Sequence, residues 1–184
     1  MKKNMHILIL VMIVAVSAMS AQATAAAGKE YQIKAAFIYN FIKFIQWPEE
    51  ESDQRESIKI AIIGEDPFGS SFDPIIQKTV KNKKIELVKF DSFEDIEDKQ
   101  LLYDCQVVFV CKSEERNLSR IFESLNGRAI LTISEIDDFA DNGGMIGFKN
   151  NNNKVSFEIN IRTMKAVNIK ASSQLLKLAL RVID

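Results

Sequence analysis

Histidine is almost missing from this chain of 184 residues: the only one is His6. It lies in a stretch that an exported protein does not keep. Lys2 and Lys3 form a positive start, Ile7 to Ala18 is an apolar run broken only by Ser17, and Ala21-Gln22-Ala23 offers a small-residue cleavage site. These features read as a secretory signal over residues 1–23, with cleavage sites continuing to Ala27. The exported chain then has no imidazole. That excludes a Ser-His-Asp triad, a Cys-His pair and a His-ligated zinc, so neither catalytic nor metal-ligating residues are assigned. Glycine is also sparse, with seven residues, and none sits in a G-x-G-x-x-G run. Gly64 alone carries no dinucleotide signal, and no cofactor is expected. After the signal, no apolar run reaches the ~20 residues that span a bilayer.

Two cysteines are present, Cys105 and Cys111. Export invites a disulfide, but both lie in one extended apolar segment, Cys105-Gln106-Val107-Val108-Phe109-Val110-Cys111. A strand would hold their Cα atoms roughly 20 Å apart, where a bridge needs less than ~7 Å. Both are expected as free thiols, and no disulfide is assigned. Net charge is −1 for the whole chain and slightly more negative once Lys2 and Lys3 are removed. Such a surface offers no footprint for nucleic acid.

What is present is one domain's worth of alternating elements, assigned to residues 28–184. Tyr31 to Gln46 has the period of a helix, stopped by Trp47-Pro48. Phe37, Ile38, Phe41, Phe44 and Ile45 fill one side; Gln32, Asn40, Lys43 and Gln46 fill the other. Lys34 falls within the apolar arc and is expected to snorkel outward. An acidic link, Glu49 to Glu56, leads to strands at Ile58–Ile63, Ile85–Phe90, Gln106–Val110 and Ala129–Ile133, with a helix at Leu118–Leu125. Strands alternating with helices predict an α/β fold: a mainly parallel sheet of about six strands with helices on both faces. A C-terminal antiparallel hairpin is expected from Met145–Phe148, a polar loop at Asn150–Asn153, and a strand in which Val155, Phe157, Ile159 and Ile161 alternate with polar residues. Ser172 is read as the N-cap of a final helix, Ser172 to Ile183.

The candidate functional residues are few. Glu158 and Asn160 share the polar side of that last strand and, with Asn40, are the candidates for contacting a partner or ligand. Glu135, Asp137, Asp138 and Asp141 cluster around Phe139. They lack EF-hand spacing and read as a solvated loop.

The helix Tyr31-Gln32-Ile33-Lys34-Ala35-Ala36-Phe37-Ile38-Tyr39-Asn40-Phe41 resembles the opening of YfiR-type periplasmic proteins. So do Ile60-Ala61-Ile62-Ile63-Gly64 with Asp66-Pro67-Phe68-Gly69, Cys105 to Val110, and Leu131-Thr132-Ile133-Ser134. The closest resemblance lies in Val155-Ser156-Phe157-Glu158-Ile159-Asn160-Ile161 and Ser172-Ser173-Gln174-Leu175-Leu176-Lys177-Leu178-Ala179. It runs from about Tyr31 to Val182. It implies a non-enzymatic periplasmic regulator that represses an inner-membrane diguanylate cyclase through the cyclase's periplasmic sensor domain, lowering cyclic di-GMP and biofilm formation. It further implies an outer-membrane lipoprotein as a sequestering partner, and a homodimer. Family members can pair a cysteine near Cys105 with one on the first strand; this chain has Ala61 there, so that pairing is lost. The alternative from the residues alone is a periplasmic solute-binding or transport accessory protein, with Asn40, Glu158 and Asn160 lining its pocket.

Overall fold

The computed structural model describes residues 28–48, 55–151 and 154–184. The expected signal, most of the acidic link and the hairpin tip lie outside them. Residues 28–44 form helix α1. Its Ala35, Ile38, Phe41 and Ile42 are fully buried, while Gln32, Asn40 and Lys43 are exposed, as the 3.6-residue period dictates. Burial of a large apolar side chain stabilises by about 2 kcal/mol, so this stripe is what fastens α1 to the sheet. The helix stops earlier than expected: Ile45–Gln46 (β1) leaves it to pair antiparallel with a later two-residue strand.

The remaining elements follow in order. They are β2 (Ser57–Ile63), α2 (Asp73–Ile76), β3 (Thr79–Val80), β4 (Lys83–Phe90), α3 (Lys99–Tyr103) and β5 (Val107–Val110). A 3-10 helix at Lys112–Asn117 leads into α4 (Leu118–Leu125) and β6 (Leu131–Ser134). Then come β7 (Ile146–Asn151), β8 (Lys154–Asn160), α5 (Ile161–Ala166), β9 (Lys170–Ala171), α6 (Ser173–Leu176) and β10 (Arg181–Ile183). The main sheet holds eight strands in the order β10-β8-β7-β6-β5-β2-β4-β3, and β1 pairs with β9 in a separate ribbon. The pairings β4-β2, β2-β5, β5-β6, β6-β7 and β8-β10 are parallel; β7-β8 and β3-β4 are antiparallel.

Two expectations are corrected here. The sheet has eight strands rather than about six, because the two- and three-residue strands β3 and β10 complete its edges and are too short to leave a periodic signal. The residues expected as one helix from Ser172 to Ile183 form only one turn, α6. Ser172 does cap it, its Oγ accepting from Leu175 N–H at 3.2 Å. The chain then leaves the helix, Leu180 N–H donates to Phe157 O at 2.8 Å, and β10 lies beside β8. The antiparallel β7-β8 pair is therefore internal to the sheet, with β10 outside it.

Successive residues of the central strands point to opposite faces. Ile60, Ile62, Val107 and Phe109 pack toward α1, α2, α5 and α6. Ala61, Ile63, Val108 and Val110 pack toward α3 and α4. On the first face the aromatic rings interlock, with Phe41 edge-on to Phe157 at 4.8 Å between centroids. Phe68 is likewise edge-on to Phe109, at 4.8 Å.

Candidate docking surface

In open α/β sheets ligands favour the carboxyl ends of strands where the strand order reverses, here between β2 and β5. That ground is filled by the chain itself. Gly64 follows β2 at φ +102°, and a Cβ there would run into the Ser113 side chain. Glu65 N–H donates to Ser113 Oγ at 2.9 Å. Cys111 is buried beside them.

Of the four acids around Phe139, Asp137, Asp138 and Asp141 are exposed, as a solvated loop requires, and one is not. Glu135 turns inward to α1. Its carboxylate pairs with Lys34 and accepts from Tyr31 Oη at 3.0 Å. Lys34 also pairs with Glu30 one turn earlier, at 2.6 Å, and its Nζ lies 4.5 Å from the centroid of the Tyr31 ring. Lys34 is only 4% exposed, so the expected outward snorkel is corrected. A lysine can be buried only if paired, and Glu30 with Glu135 supplies the pairing. Burial, then the charge and hydrogen bond of Glu135, push the Tyr31 hydroxyl far above its ordinary value.

Asp138 and Asp141 face the other way. Asp138 meets Lys149 at 3.4 Å. Asp141 meets Arg181 of β10, whose Nη1 donates to Oδ1 at 2.9 Å while Nη2 bonds Oδ2. The same guanidinium reaches back to Glu158, Nε to Oε1 at 3.0 Å and Nη2 to Oε2 at 2.9 Å. Arg181 is thus forked onto two carboxylates. The pairing follows from register, because Arg181 lies opposite Glu158 in the β8-β10 ladder. The hydrogen bonds from Arg181 hold Asp141 below its usual carboxylate range.

Glu158 and Asn160 are therefore not solvent-facing, as the alternating sequence pattern had implied; they are 7% and 6% exposed. The loop around Phe139 covers their face. A Cβ on Gly144 would strike the Phe139 ring, so only glycine lets the loop close there. Asn160 Nδ2 donates to Ala140 O at 2.8 Å, and its Oδ1 accepts from Thr163 N–H at 3.0 Å, capping α5. Asn40 is exposed on α1, which packs on the Phe157 side of the sheet, the face opposite Glu158. The three sequence candidates consequently share no pocket. Two surface grooves, of about 250 and 280 Å³, are lined by none of them. Both cysteines are buried and unpaired. Burial raises the Cys105 thiol to about 11 and the Cys111 thiol to about 12.

The residues that sequence reasoning missed are Arg181 and the exposed apolar side chains beside it, while Lys34 was singled out but placed facing outward. Leu178, Leu180 and Val182 are 66%, 56% and 40% exposed. Leu178 lies in the turn after α6, Leu180 in the bend before β10 and Val182 on β10, where a single helix to Ile183 was expected. β10 pairs with β8 on one side and with no strand on the other. Leu178, Leu180 and Val182 with that free edge form the one concentrated exposure of large apolar side chains among the described residues.

No curated protein shows significant similarity to the chain. The profile of the YfiR/HmsC-like family matches residues 31–180, from the first full turn of α1 to the threshold of β10. A match of that extent takes in α1, the whole parallel core and the β7-β8 pair, and the chain belongs to the YfiR/HmsC-like family.

Proposed function

We propose that this protein is a non-enzymatic periplasmic regulator that represses an inner-membrane diguanylate cyclase by contacting the cyclase's periplasmic sensor domain. Repression lowers cyclic di-GMP and with it biofilm formation. The observation that carries the reading is the family match across residues 31–180. The architecture is in keeping with a protein that works through its surface. The carboxyl-end crevice is packed with the chain's own side chains, and Glu135, Asp138 and Asp141 of the loop around Phe139 are engaged by Lys34, Lys149 and Arg181. Among the described residues no helix is long and apolar enough to cross a membrane. An outer-membrane lipoprotein that sequesters the repressor, and a homodimeric form, belong to the same proposal. The solute-binding alternative has no observation in its favour, since Asn40, Glu158 and Asn160 do not converge.

Affinity capture tests the contact. The tagged, exported protein is recovered from detergent-solubilised membranes and its companions are identified. A membrane-anchored diguanylate cyclase is the expected companion. Recovery of the protein with no cyclase, under conditions where the cyclase is expressed, contradicts the reading.

A further inference from the structure

Two hydroxyls share one face of β6, two residues apart, and the fold treats them differently. Ser134 Oγ donates to Val110 O at 2.7 Å and accepts from Ile136 N–H at 3.0 Å, so both its capacities are used. Thr132 Oγ1 accepts from Met145 N–H at 3.0 Å, and among the described residues its own proton meets no acceptor. Thr132 is 3% exposed. A buried donor with no partner costs free energy unless something else takes its proton. Thr132 lines the groove of about 250 Å³, whose walls are apolar: Phe122 and Leu125 of α4, Met145 before β7 and Val167 after α5. No carboxylate lines that groove. Its one charged side chain, Arg128, is exposed and stacked on Tyr103, 3.4 Å from the ring centroid. Tyr103 belongs to the other groove.

We propose that this groove binds a small neutral carbonyl compound with an apolar body, its carbonyl oxygen accepting the Thr132 proton. The lining makes the choice. Phe122, Leu125, Met145 and Val167 suit a hydrocarbon body. A purely apolar ligand would leave the Thr132 proton unpaired. An anionic oxygen beside Thr132 would be buried without a cation, because Arg128 is exposed and engaged by Tyr103. The groove is smaller than the ~300 Å³ at which ligand pockets ordinarily begin, which limits the body to one ring or a short chain. Asn40, Glu158 and Asn160 do not line it, so it is not the solute site that the sequence suggested. The claim is one of binding and does not depend on the cyclase reading.

The test titrates the full exported chain with acetophenone, benzoate and toluene, which share a ring and differ in the group it carries, and follows amide and methyl NMR shifts. Acetophenone is expected to shift Thr132, Met145 and Val167, and to bind more tightly than benzoate. Thr132→Val should weaken acetophenone about three- to tenfold, the range that one net hydrogen bond supplies, and leave toluene as tight or tighter. Thr132→Ser, which keeps the hydroxyl, should keep the acetophenone affinity. Because Thr132→Val also takes the acceptor from Met145 N–H, a second variant leaves the floor of the groove intact. Ala166→Trp fills an exposed position of the lining; it should abolish the shifts from acetophenone and toluene alike, with the melting temperature unchanged. No groove shift with acetophenone overturns the site, and so does binding that Ala166→Trp does not touch. Acetophenone and toluene responding equally to Thr132→Val would show that the hydroxyl holds only water and overturn the carbonyl contact. Benzoate binding the more tightly would move recognition to Arg128 and overturn the neutral class.

Discussion

The loop after β6 sends carboxylates to three cations, Lys34, Lys149 and Arg181, and the surroundings of the Lys34 and Arg181 pairs differ. Lys34 meets Glu135 where the side chains are 5% and 15% exposed. Arg181 meets Asp141 where they are 45% and 41% exposed. Water screens the second pair and hardly reaches the first. The buried pair ties α1 to the carboxyl end of the sheet and leaves a stranded charge if either partner goes. The outer pair joins β10 to the loop around Phe139, beside the ladder that already holds β10 to β8. One network fastens α1 to the sheet, and the other fastens the edge strand β10 to the loop around Phe139.

The sharpest way to break the comparison is Lys34→Met. It leaves Glu135 with Tyr31 alone in a nearly dry site, and the expected loss is about 3–5 kcal/mol in denaturant unfolding. Adding Glu135→Gln removes the stranded charge, so the double variant should regain part of that loss, a coupling that a thermodynamic cycle reads directly. Next in size is Asn160→Ala, which removes the cap of α5 and the bond to Ala140 O; about 1–2 kcal/mol is expected. If Asn160 were a solvent-facing contact residue, unfolding would hardly change.

Arg181→Gln should lower the melting temperature less than Lys34→Met does, and should do so in a pH-dependent way. Asp141 has its folded value held down by Arg181. A depressed carboxylate contributes fully above its unfolded value and loses that contribution as pH falls through the folded one. The difference between wild type and Arg181→Gln should therefore be full near neutrality and shrink in acid. A difference that grew in acid would contradict the assignment. The smallest effect concerns the thiols, which involve no change in stability. With Cys105 and Cys111 buried and their thiols raised to about 11 and 12, alkylation at pH 8 should be slow in the folded protein and reach both residues after denaturation without reductant. A single thiol, or none, after denaturation would show a bond that the fold does not contain.

The centre of this fold was legible in the sequence and its rim was not, for a physical reason. Ile60 to Ile63 and Val107 to Val110 are buried on both faces, so their apolar runs announce parallel strands. The helical stripe of Phe37, Ile38 and Phe41 was equally plain. At the rim the signal comes from the partner strand, not from the residues themselves. Leu178 and Val182 fit a helical stripe, and only pairing with the edge of β8 turns Arg181–Ile183 into a strand instead. Glu158 and Asn160 misled for the same reason: polar alternation identifies a face, but it does not reveal that a loop folded over Gly144 covers it. Lys34 was nearly readable, since a lysine in an apolar arc with Glu30 one turn before it already implies a paired, buried cation.

The regulatory account turns on one measurement, cellular cyclic di-GMP after deletion and return of the gene. Deletion should raise it. Returning the exported protein should lower it again, whereas a copy lacking residues 1–23 should not, because the proposed contact lies outside the cytoplasm. Cyclic di-GMP that is unchanged by deletion, or restored equally well by the copy without its signal, would contradict the account.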